Sequence, residues 1–357
     1  MSQVKIEKLV YGGAGLGVLN GKACFVQGAL PGETVSVRVV RSKSSHMEAV
    51  ISEIHERSKE RVDPPCPYYE KCGGCQWQHL NYEAQLQWKQ KILEETLQKI
   101  GKVVSPKVLP TLSSPQEFGW RSRVNIHSDG FGKVGFFEPN SHRVVDVERC
   151  LVASEVVNQQ LLQIRDSLKH IKKDLELRDD GASGFAQVNS LQNEKLKELV
   201  LKWAQALPHD FILELFCGNG NFSRELLKIS KKFVGVDSAP EGIQKANDDL
   251  LSFRRKPESS VFFHCADAAK FFVSYESKTP MDLLLLDPPR DGCGRVVEGV
   301  LKHRPKNILY ISCNPATLAR DIKFLKEFAG YQFVQSQPMD MFPHSYHIES
   351  LTLISAS

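Results

Sequence analysis

The chain has 357 residues, of which 41% are hydrophobic and 25% charged, and its net charge is +4. This length allows two or three globular domains, and the composition is ordinary for a folded protein. No run approaches the roughly 18 to 20 apolar residues of a membrane span, and the first residues lack the apolar core of a signal peptide. We therefore expect a cytoplasmic protein with no membrane partner.

Nine cysteines are present, an odd number, and most of them lie in motifs. A secreted disulfide framework usually has an even number of cysteines, whereas thiols in a reducing compartment are more often metal ligands or nucleophiles. The cysteines therefore favour chemistry over structural crosslinks.

Residues 1–57 are predicted to form a small β-barrel. Short apolar runs separated by glycine turns are typical of this architecture, and four of them are Val4–Leu9, Lys22–Val26, Thr34–Val40 and Glu48–Ile54. Residues 1–61 hold nine Lys and Arg against six Asp and Glu. Basic side chains along the strands favour an RNA-binding barrel over a β-module with no binding role.

Residues 58–180 are predicted to form a central mixed α+β domain. The pattern indicates helices over Trp77–Ile100 and Ser154–Lys172, with strands at Arg123–His127 and Lys133–Phe137. This segment also contains a cysteine cluster. Cys66, Cys72 and Cys75 share one glycine-containing loop, and Cys150 offers a fourth sulfur from far along the chain. The spacing alone permits a zinc site, an iron–sulfur cluster or free thiols.

Residues 181–357 alternate between short apolar runs and helical patterns, which predicts an α/β domain with a parallel sheet. The predicted strands are Phe211–Phe216, Phe233–Val236, Val261–His264, Leu283–Leu286 and Ile308–Ile311, and the predicted helices are Phe222–Ile229, Ala239–Leu250 and Thr317–Phe328. Ligands of such sheets bind beyond the carboxyl ends of the strands.

The first of these carboxyl ends carries a glycine turn with two glycines, Gly218 and Gly220, and Asp237 closes the next strand. Such a turn lets a ligand approach the backbone, and the acid can hold a ribose diol. Because Ser223 stands where a dinucleotide fold has a third glycine, the motif favours S-adenosylmethionine over NAD. Asp267 and Asp287 follow the next two strands as candidate cofactor ligands, with a helix cap or a solvated loop as the alternative role of each acid.

Cys313 comes two residues after the end of the predicted strand Ile308–Ile311, and Glu349 comes later in the segment His347-Ile348-Glu349. Carbon 5 of uracil attacks a methyl donor only after a nucleophile has added to carbon 6, and a base must then remove the carbon 5 proton. We predict that Cys313 is the nucleophile and Glu349 the base, with His347 as the second candidate base.

Four segments closely resemble the RNA 5-methyluridine (uracil-C5) methyltransferases: Phe216-Cys-Gly-Asn-Gly-Asn-Phe222, Asp287-Pro-Pro-Arg290, Ser312-Cys-Asn-Pro-Ala-Thr317 and Phe342-Pro-His-Ser-Tyr-His-Ile-Glu349. The resemblance spans the whole chain. It implies a TRAM barrel at residues 1–57, an iron–sulfur domain at 58–180 and a Rossmann-like class I methyltransferase domain at 181–357.

The resemblance also implies roles for individual residues. It makes Cys313 the nucleophile, Glu349 the base, and Cys66, Cys72, Cys75 and Cys150 the ligands of a [4Fe-4S] cluster, for which we predict a structural role. The implied cofactor-binding residues are Gln187, Phe216, Asn221, Asp237, Asp267 and Asp287. In this family the acid at position 237 is usually glutamate, so Asp237 has a shorter reach.

The resemblance leaves the RNA substrate open, and no protein partner is implied. A uridine of folded ribosomal RNA is the favoured target, and transfer RNA is the alternative because the same motifs serve both. A non-catalytic RNA-binding or assembly module is a further alternative, although it would not need to keep both Cys313 and Glu349.

Overall fold

A computed structural model describes residues 2–179, 187–250 and 260–357. The predicted boundary between residues 180 and 181 lies outside these ranges, so the division into three domains stays a prediction. The described strands form a closed barrel, a four-stranded sheet and a seven-stranded sheet. None of the described helices is both long enough and apolar enough to cross a membrane.

The N-terminal strands close into the predicted barrel, in the order β1-β2-β3-β5-β4. Inward side chains such as Val4, Ile6, Val26 and Val35 are at most 1% exposed and form its core. The strands are β1 (Ser2–Leu9), β2 (Gly15–Leu19), β3 (Lys22–Gln27), β4 (Thr34–Ser42) and β5 (His46–Glu56).

The middle of the chain forms a four-stranded antiparallel sheet, in the order β8-β7-β6-β9, covered by one helix. The predicted helix over 154–172 ends at Leu168, and the strand that follows was not predicted. Only Leu177 of that strand is buried, so it gives little hydrophobic pattern. The elements are β6 (Arg123–Ser128), β7 (Val134–Phe137), β8 (Val144–Asp146), α2 (Glu155–Leu168) and β9 (Lys173–Arg178).

Helix α1 (Tyr82–Lys99) joins the barrel to the C-terminal sheet. The prediction placed its start at Trp77, but Asn81 caps it, because the Asn81 side chain accepts a hydrogen bond from the amide of Ala84 at 2.8 Å. Leu93 lies in the core of the C-terminal sheet, whereas Ile92 packs with residues of the barrel. One helix therefore fixes the barrel relative to the sheet.

The C-terminal sheet has seven strands, in the order β12-β11-β10-β13-β14-β16-β15. Its first five strands are parallel, as predicted, and β15 and β16 are antiparallel additions that were not predicted. The strands are β10 (Phe211–Leu215), β11 (Lys232–Asp237), β12 (Ser260–Cys265), β13 (Leu283–Leu286), β14 (Asn307–Ser312), β15 (Tyr331–Met339) and β16 (Glu349–Ala356).

Six described helices accompany this sheet: α3 (Ser190–Gln205), α4 (Ser223–Leu226), α5 (Pro240–Leu250), α6 (Ala268–Ser274), α7 (Val296–His303) and α8 (Pro315–Ala329). Of these, α3, α6 and α7 were not predicted. The central parallel strands β10, β13 and β14 are buried along their whole length, as in the run Leu283–Leu286. A sheet buried on both faces leaves its carboxyl edge as the place for a ligand.

Candidate active site

Cys313 and Glu349 face each other at the carboxyl edge of the sheet. Strands β14 and β16 pair in antiparallel register, with Ser312 opposite Ser350. Continuing this register by one residue sets Cys313 opposite Glu349, the first residue of β16. Two residues that lie far apart in the sequence are thereby brought together by strand pairing.

Side chains of the motif that contains Cys313 stabilise the turn on which it lies. The side-chain oxygen of Asn314 caps helix α8 by accepting a hydrogen bond from the amide of Ala316 at 3.1 Å, and Pro315 occupies the first helical turn. The side chains of Asn314 and Thr317 both donate to the carbonyl of Arg290, each at 3.1 Å. These hydrogen bonds hold the turn that carries Cys313 against the turn after Asp287.

Burial and neighbouring acids control the ionisation of both candidate catalytic groups. Burial, followed by the charge of Glu349, raises the pKa of Cys313 to about 11. Burial and then the charge of Asp287 raise the pKa of Glu349 well above 4.5. Arg290 opposes both shifts, because its guanidinium favours the charged forms. A base with a raised pKa binds a proton more strongly than an ordinary carboxylate.

His347, the second candidate base, lies in an aromatic setting near the same site. Its ring centroid is 4.4 Å from that of Tyr346 and 5.6 Å from that of Phe342. Burial, followed by the charges of Arg290 and of more distant cations, lowers the pKa of His347 to about 4. Sequence reasoning gave Arg290 no role of its own, although it directly follows the Asp-Pro-Pro motif.

The glycine turn after β10 has backbone angles that favour glycine. Phe216 follows the last strand residue with φ at 65°, in the left-handed region that few side chains adopt, and Gly218 has φ at 54°. The carboxylate of Asp237 accepts from the amide of Gly218 at 2.9 Å and from that of Ala239 at 2.8 Å. Asp237 therefore shapes the turn itself, and its predicted contact with a ribose stays a prediction.

Hydrogen bonds hold the segments that contain Asn221 and Gln187. The side-chain amides of Asn221 and Asn193 exchange two hydrogen bonds, at 2.9 and 3.0 Å. Gln187 is half-buried, and two residues further on the side chain of Asn189 donates to the carbonyl of Met341 at 3.3 Å. This bond ties the Gln187 segment to the segment that leads to Glu349.

The remaining two predicted acids differ in their settings. Asp267 is exposed and caps helix α6 by accepting from the amide of Lys270 at 2.8 Å, which is the alternative role considered for it. Burial, followed by the charge of Asp237, raises the pKa of Asp287 to about 7. Burial also raises the pKa of Glu214, on β10, to about 8, and Asp287 and Asp237 add to this shift. These acids repel one another when ionised, so this edge of the sheet favours a cationic ligand.

A buried polar network supports the segment from Asp340 to Glu349. Lys89 and Asp340 form an ion pair in which both side chains are 0% exposed, and Lys89 also donates to the carbonyl of Phe342 at 3.1 Å. The side-chain oxygen of Gln85 accepts from the amide of His344 at 2.9 Å. Both Gln85 and Lys89 come from α1, and their polar side chains gave no sign in the sequence that they would be buried.

The four predicted metal ligands lie around one cavity. Cys66, Cys72, Cys75 and Cys150 line a space of about 330 Å³, together with the guanidinium-bearing Arg121. Within residues 2–179, 187–250 and 260–357, no three His, Cys, Asp or Glu side chains are grouped closely enough to hold one metal ion. The structure therefore brings the four sulfurs to one site without showing a metal group.

The sheet order, the glycine turn and the acids at the carboxyl edge are together those of an S-adenosylmethionine-dependent methyltransferase, preceded by a small barrel. A family model described as tRNA (Uracil-5-)-methyltransferase matches residues 273–357, and a TRAM domain model matches residues 2–51.

Similar proteins cover nearly the whole chain. An RNA methyltransferase of Aquifex aeolicus is 33% identical over 99% of this chain and 98% of its own length. The 23S rRNA (uracil(1939)-C(5))-methyltransferase RlmD of Vibrio parahaemolyticus is 30% identical over 99% of this chain and 96% of its own. The crystal structure of Pyrococcus abyssi tRNA (uracil-54, C5)-methyltransferase has a TM-score of 0.72 and 23% identity, and covers 99% of this chain and all of that one, which shows a common fold.

The chain belongs to the RNA uracil-C5 methyltransferase family. It is an S-adenosylmethionine-dependent enzyme that acts on carbon 5 of uracil in RNA, with a TRAM domain at its N-terminus. The predicted family, fold class and enzyme class are confirmed.

Proposed function

We propose that this enzyme methylates carbon 5 of a uridine in ribosomal RNA, with Cys313 as the nucleophile and Glu349 as the base. The observation that carries the proposal is the strand register that sets Glu349 opposite Cys313, beside Asp287 and the glycine turn. Both groups can then act on adjacent carbons of one pyrimidine ring.

The reaction begins when the thiolate of Cys313 forms a bond to carbon 6 of the uracil, which moves electrons towards carbon 5 and the carbonyl oxygen. S-adenosylmethionine supplies the methyl group, which carbon 5 takes. Arg290 favours the thiolate, because its positive charge opposes the rise in the pKa of Cys313. The thiol is otherwise too weakly ionised near neutral pH.

Glu349 then removes the proton from carbon 5, the carbon 5–carbon 6 double bond forms again, and the sulfur of Cys313 leaves as thiolate. Because burial raises the pKa of Glu349, its carboxylate is a stronger base than an ordinary glutamate. The pKa of His347 is lowered to about 4, which makes its imidazole the weaker base. These opposite shifts favour Glu349 for the proton transfer.

We further propose that Gln187, Phe216, Asn221, Asp237, Asp267 and Asp287 bind the cofactor. The sulfonium and the amino group of S-adenosylmethionine are cationic, so they would relieve the repulsion among Asp237, Asp287 and Glu214. A dinucleotide would instead bring a negatively charged pyrophosphate close to these acids.

The four cysteines are proposed to hold a [4Fe-4S] cluster with a structural role. The cysteines of such a cluster bind different irons and surround a volume, whereas zinc holds its sulfurs at about 2.3 Å from one ion. All four cysteines line one cavity, where they could surround such a cluster. Arg121 lines the same cavity, where its positive charge would offset the negative charge of thiolate ligands.

The cluster can be tested by anaerobic purification followed by visible absorbance and metal analysis. We expect iron and sulfide together with a broad visible band, and their loss in Cys72→Ser but not in Cys24→Ser, which alters a buried cysteine of the barrel. Stoichiometric zinc without iron would instead identify a zinc site.

Ribosomal RNA is favoured because the similarity to RlmD, named as a 23S rRNA enzyme, extends over nearly the whole of both chains. Transfer RNA is the second candidate, because the family model over residues 273–357 carries a tRNA name. Mapping 5-methyluridine in both RNAs from a deletion strain separates them. Loss from 23S rRNA alone supports the proposal, and loss from transfer RNA alone contradicts it.

The role of Cys313 is tested by replacing it with alanine. This variant should bind S-adenosylmethionine normally, but it should form neither product nor a covalent complex with RNA. Cys24→Ala is the matched control and should retain both activities. Substantial product from the Cys313→Ala variant would contradict the proposed mechanism.

A further inference from the structure

A turn of the N-terminal barrel reaches the nucleophile. Residues 10–14, here called the barrel turn, connect β1 to β2 and carry Tyr11. The hydroxyl of Tyr11 lies 3.4 Å from the carbonyl oxygen of Cys313, although 302 residues separate the two in the chain. After burial, the charges of Tyr346, Cys313, Arg290 and Glu349 also act on the pKa of Tyr11.

The barrel turn is held firmly in this position. Trp77, which is fully buried, donates from its indole nitrogen to the carbonyl of Gly13 at 3.1 Å. Gly13 has φ at 89°, and a Cβ added there would lie 3.2 Å from the ring of Tyr346. The ring of Tyr11 meets that of Tyr346 edge to face, with centroids 5.6 Å apart. These contacts fix the phenol before RNA binds.

The hydroxyl of Tyr11 remains available to a further partner. A separation of 3.4 Å is at the long end for an O–H···O hydrogen bond, so the carbonyl of Cys313 engages the hydroxyl only weakly. The side chain is half-buried and therefore keeps an open side. Burial raises the pKa of Tyr11 to about 12, which keeps the phenol protonated as a donor at neutral pH.

We infer that Tyr11 is a substrate-binding residue of the uracil pocket, where its hydroxyl donates a hydrogen bond to the extruded target nucleotide. Uracil carries two carbonyl oxygens that accept such bonds, and a neutral donor can approach them beside the acidic groups of this site. The barrel then supplies part of the active site in addition to any general affinity for RNA. This inference rests on the proposed function, because it takes Cys313 as the site of attack on the uracil.

The inference can be tested with RNA in which 5-fluorouridine replaces uridine. Fluorine on carbon 5 cannot leave as a proton, so the enzyme stops at the methylated covalent complex, whose formation can be timed in a single turnover. Tyr11→Phe removes only the hydroxyl. We expect the rate at saturating RNA to fall about tenfold, with unchanged melting temperature and unchanged affinity for S-adenosylmethionine.

Tyr275→Phe is the matched control, because it makes the same chemical change at a half-buried tyrosine that packs against Phe211 and Phe271, apart from Cys313. This control should react at the wild-type rate. Tyr11→Phe reacting at the wild-type rate would overturn the inference, as would an equal loss in both variants. Absence of the covalent complex from the wild-type enzyme would instead count against the proposed function itself.

Discussion

Replacing Lys89 with methionine should destabilise the protein strongly, although this lysine lies far from Cys313 in the sequence. Its ammonium group pairs with Asp340, and both side chains are 0% exposed. Removing one member of such a pair leaves a buried charge without its partner, which costs about 3 to 5 kcal/mol. Asp340→Leu should lower the free energy of unfolding by a similar amount, because it leaves the buried ammonium group of Lys89 without its partner.

The double variant Lys89→Met/Asp340→Leu should be more stable than either single variant. Two apolar side chains replace the ion pair, so no buried charge is left without its partner, and such replacements of buried pairs are often neutral or stabilising. The four proteins therefore form a double-mutant cycle whose interaction energy should exceed about 3 kcal/mol. The control is Lys99→Met on the same helix, where Lys99 is 64% exposed and pairs with Glu95. This control should change stability by less than about 1 kcal/mol.

Urea unfolding followed by tryptophan fluorescence measures these differences, because Trp77 lies close to the pair, with the ammonium nitrogen of Lys89 5.9 Å from its ring centroid. Strictly additive losses in the double variant would refute the reasoning, and so would single variants that lose less than 1 kcal/mol. The single variants should also lose methyl transfer, because Lys89 supports the segment that leads to Glu349.

Three further predictions concern the site directly. Glu349→Gln should accumulate the methylated RNA–protein complex, because the carbon 5 proton stays in place. The complex should be visible as a slowed band on a denaturing gel, and a variant that turns over normally would contradict this prediction. Asn314→Ala should lose about 1 kcal/mol of stability with its helix cap and react more slowly, whereas Asn247→Ala on α5 should not slow the reaction. The affinity for S-adenosylmethionine should rise as the pH increases through about 7, because Asp287 becomes anionic and attracts the cationic ligand. Titration calorimetry at several pH values should show this rise in wild type and not in Asp287→Asn.

The parallel part of the sheet could be predicted because its strands are continuous apolar runs. Strand β15 could not, because it contains three glutamines and a proline along its nine residues. These polar positions are accommodated by partners distant in the sequence. The hydroxyls of Ser336 and Thr352 bond at 2.8 Å, and Gln337 donates to the carbonyl of Pro110 at 2.6 Å. Hydrophobic periodicity cannot predict such polar contacts between distant segments.

Within the candidate site, only residues that lie in a local motif could be predicted from the sequence. Motifs marked Cys313, Glu349 and the acids at the strand ends, because each lies in an informative local sequence. Tyr11 and Lys89 lie in no such motif, and their partners are 302 and 251 residues away. Cys265 follows the apolar run Val261–His264, and a cysteine of a core strand is expected to be inert packing, but this side chain is exposed at the end of β12. Distant contacts decide these cases, and they arise only when the three sheets and α1 are assembled.

The direction of β16 matters more for the candidate chemistry than any single motif. Glu349 is the first residue of this strand, and the first residue of a parallel strand would lie at the amino edge of the sheet. Across the six residues of β14, at about 3.3 Å each, that would separate Glu349 from Cys313 by about 20 Å. Because β16 runs antiparallel, its first residue instead lies at the carboxyl edge, opposite the thiol. The antiparallel addition thus turns a parallel nucleotide-binding sheet into one that can present a base and a nucleophile to the same ring.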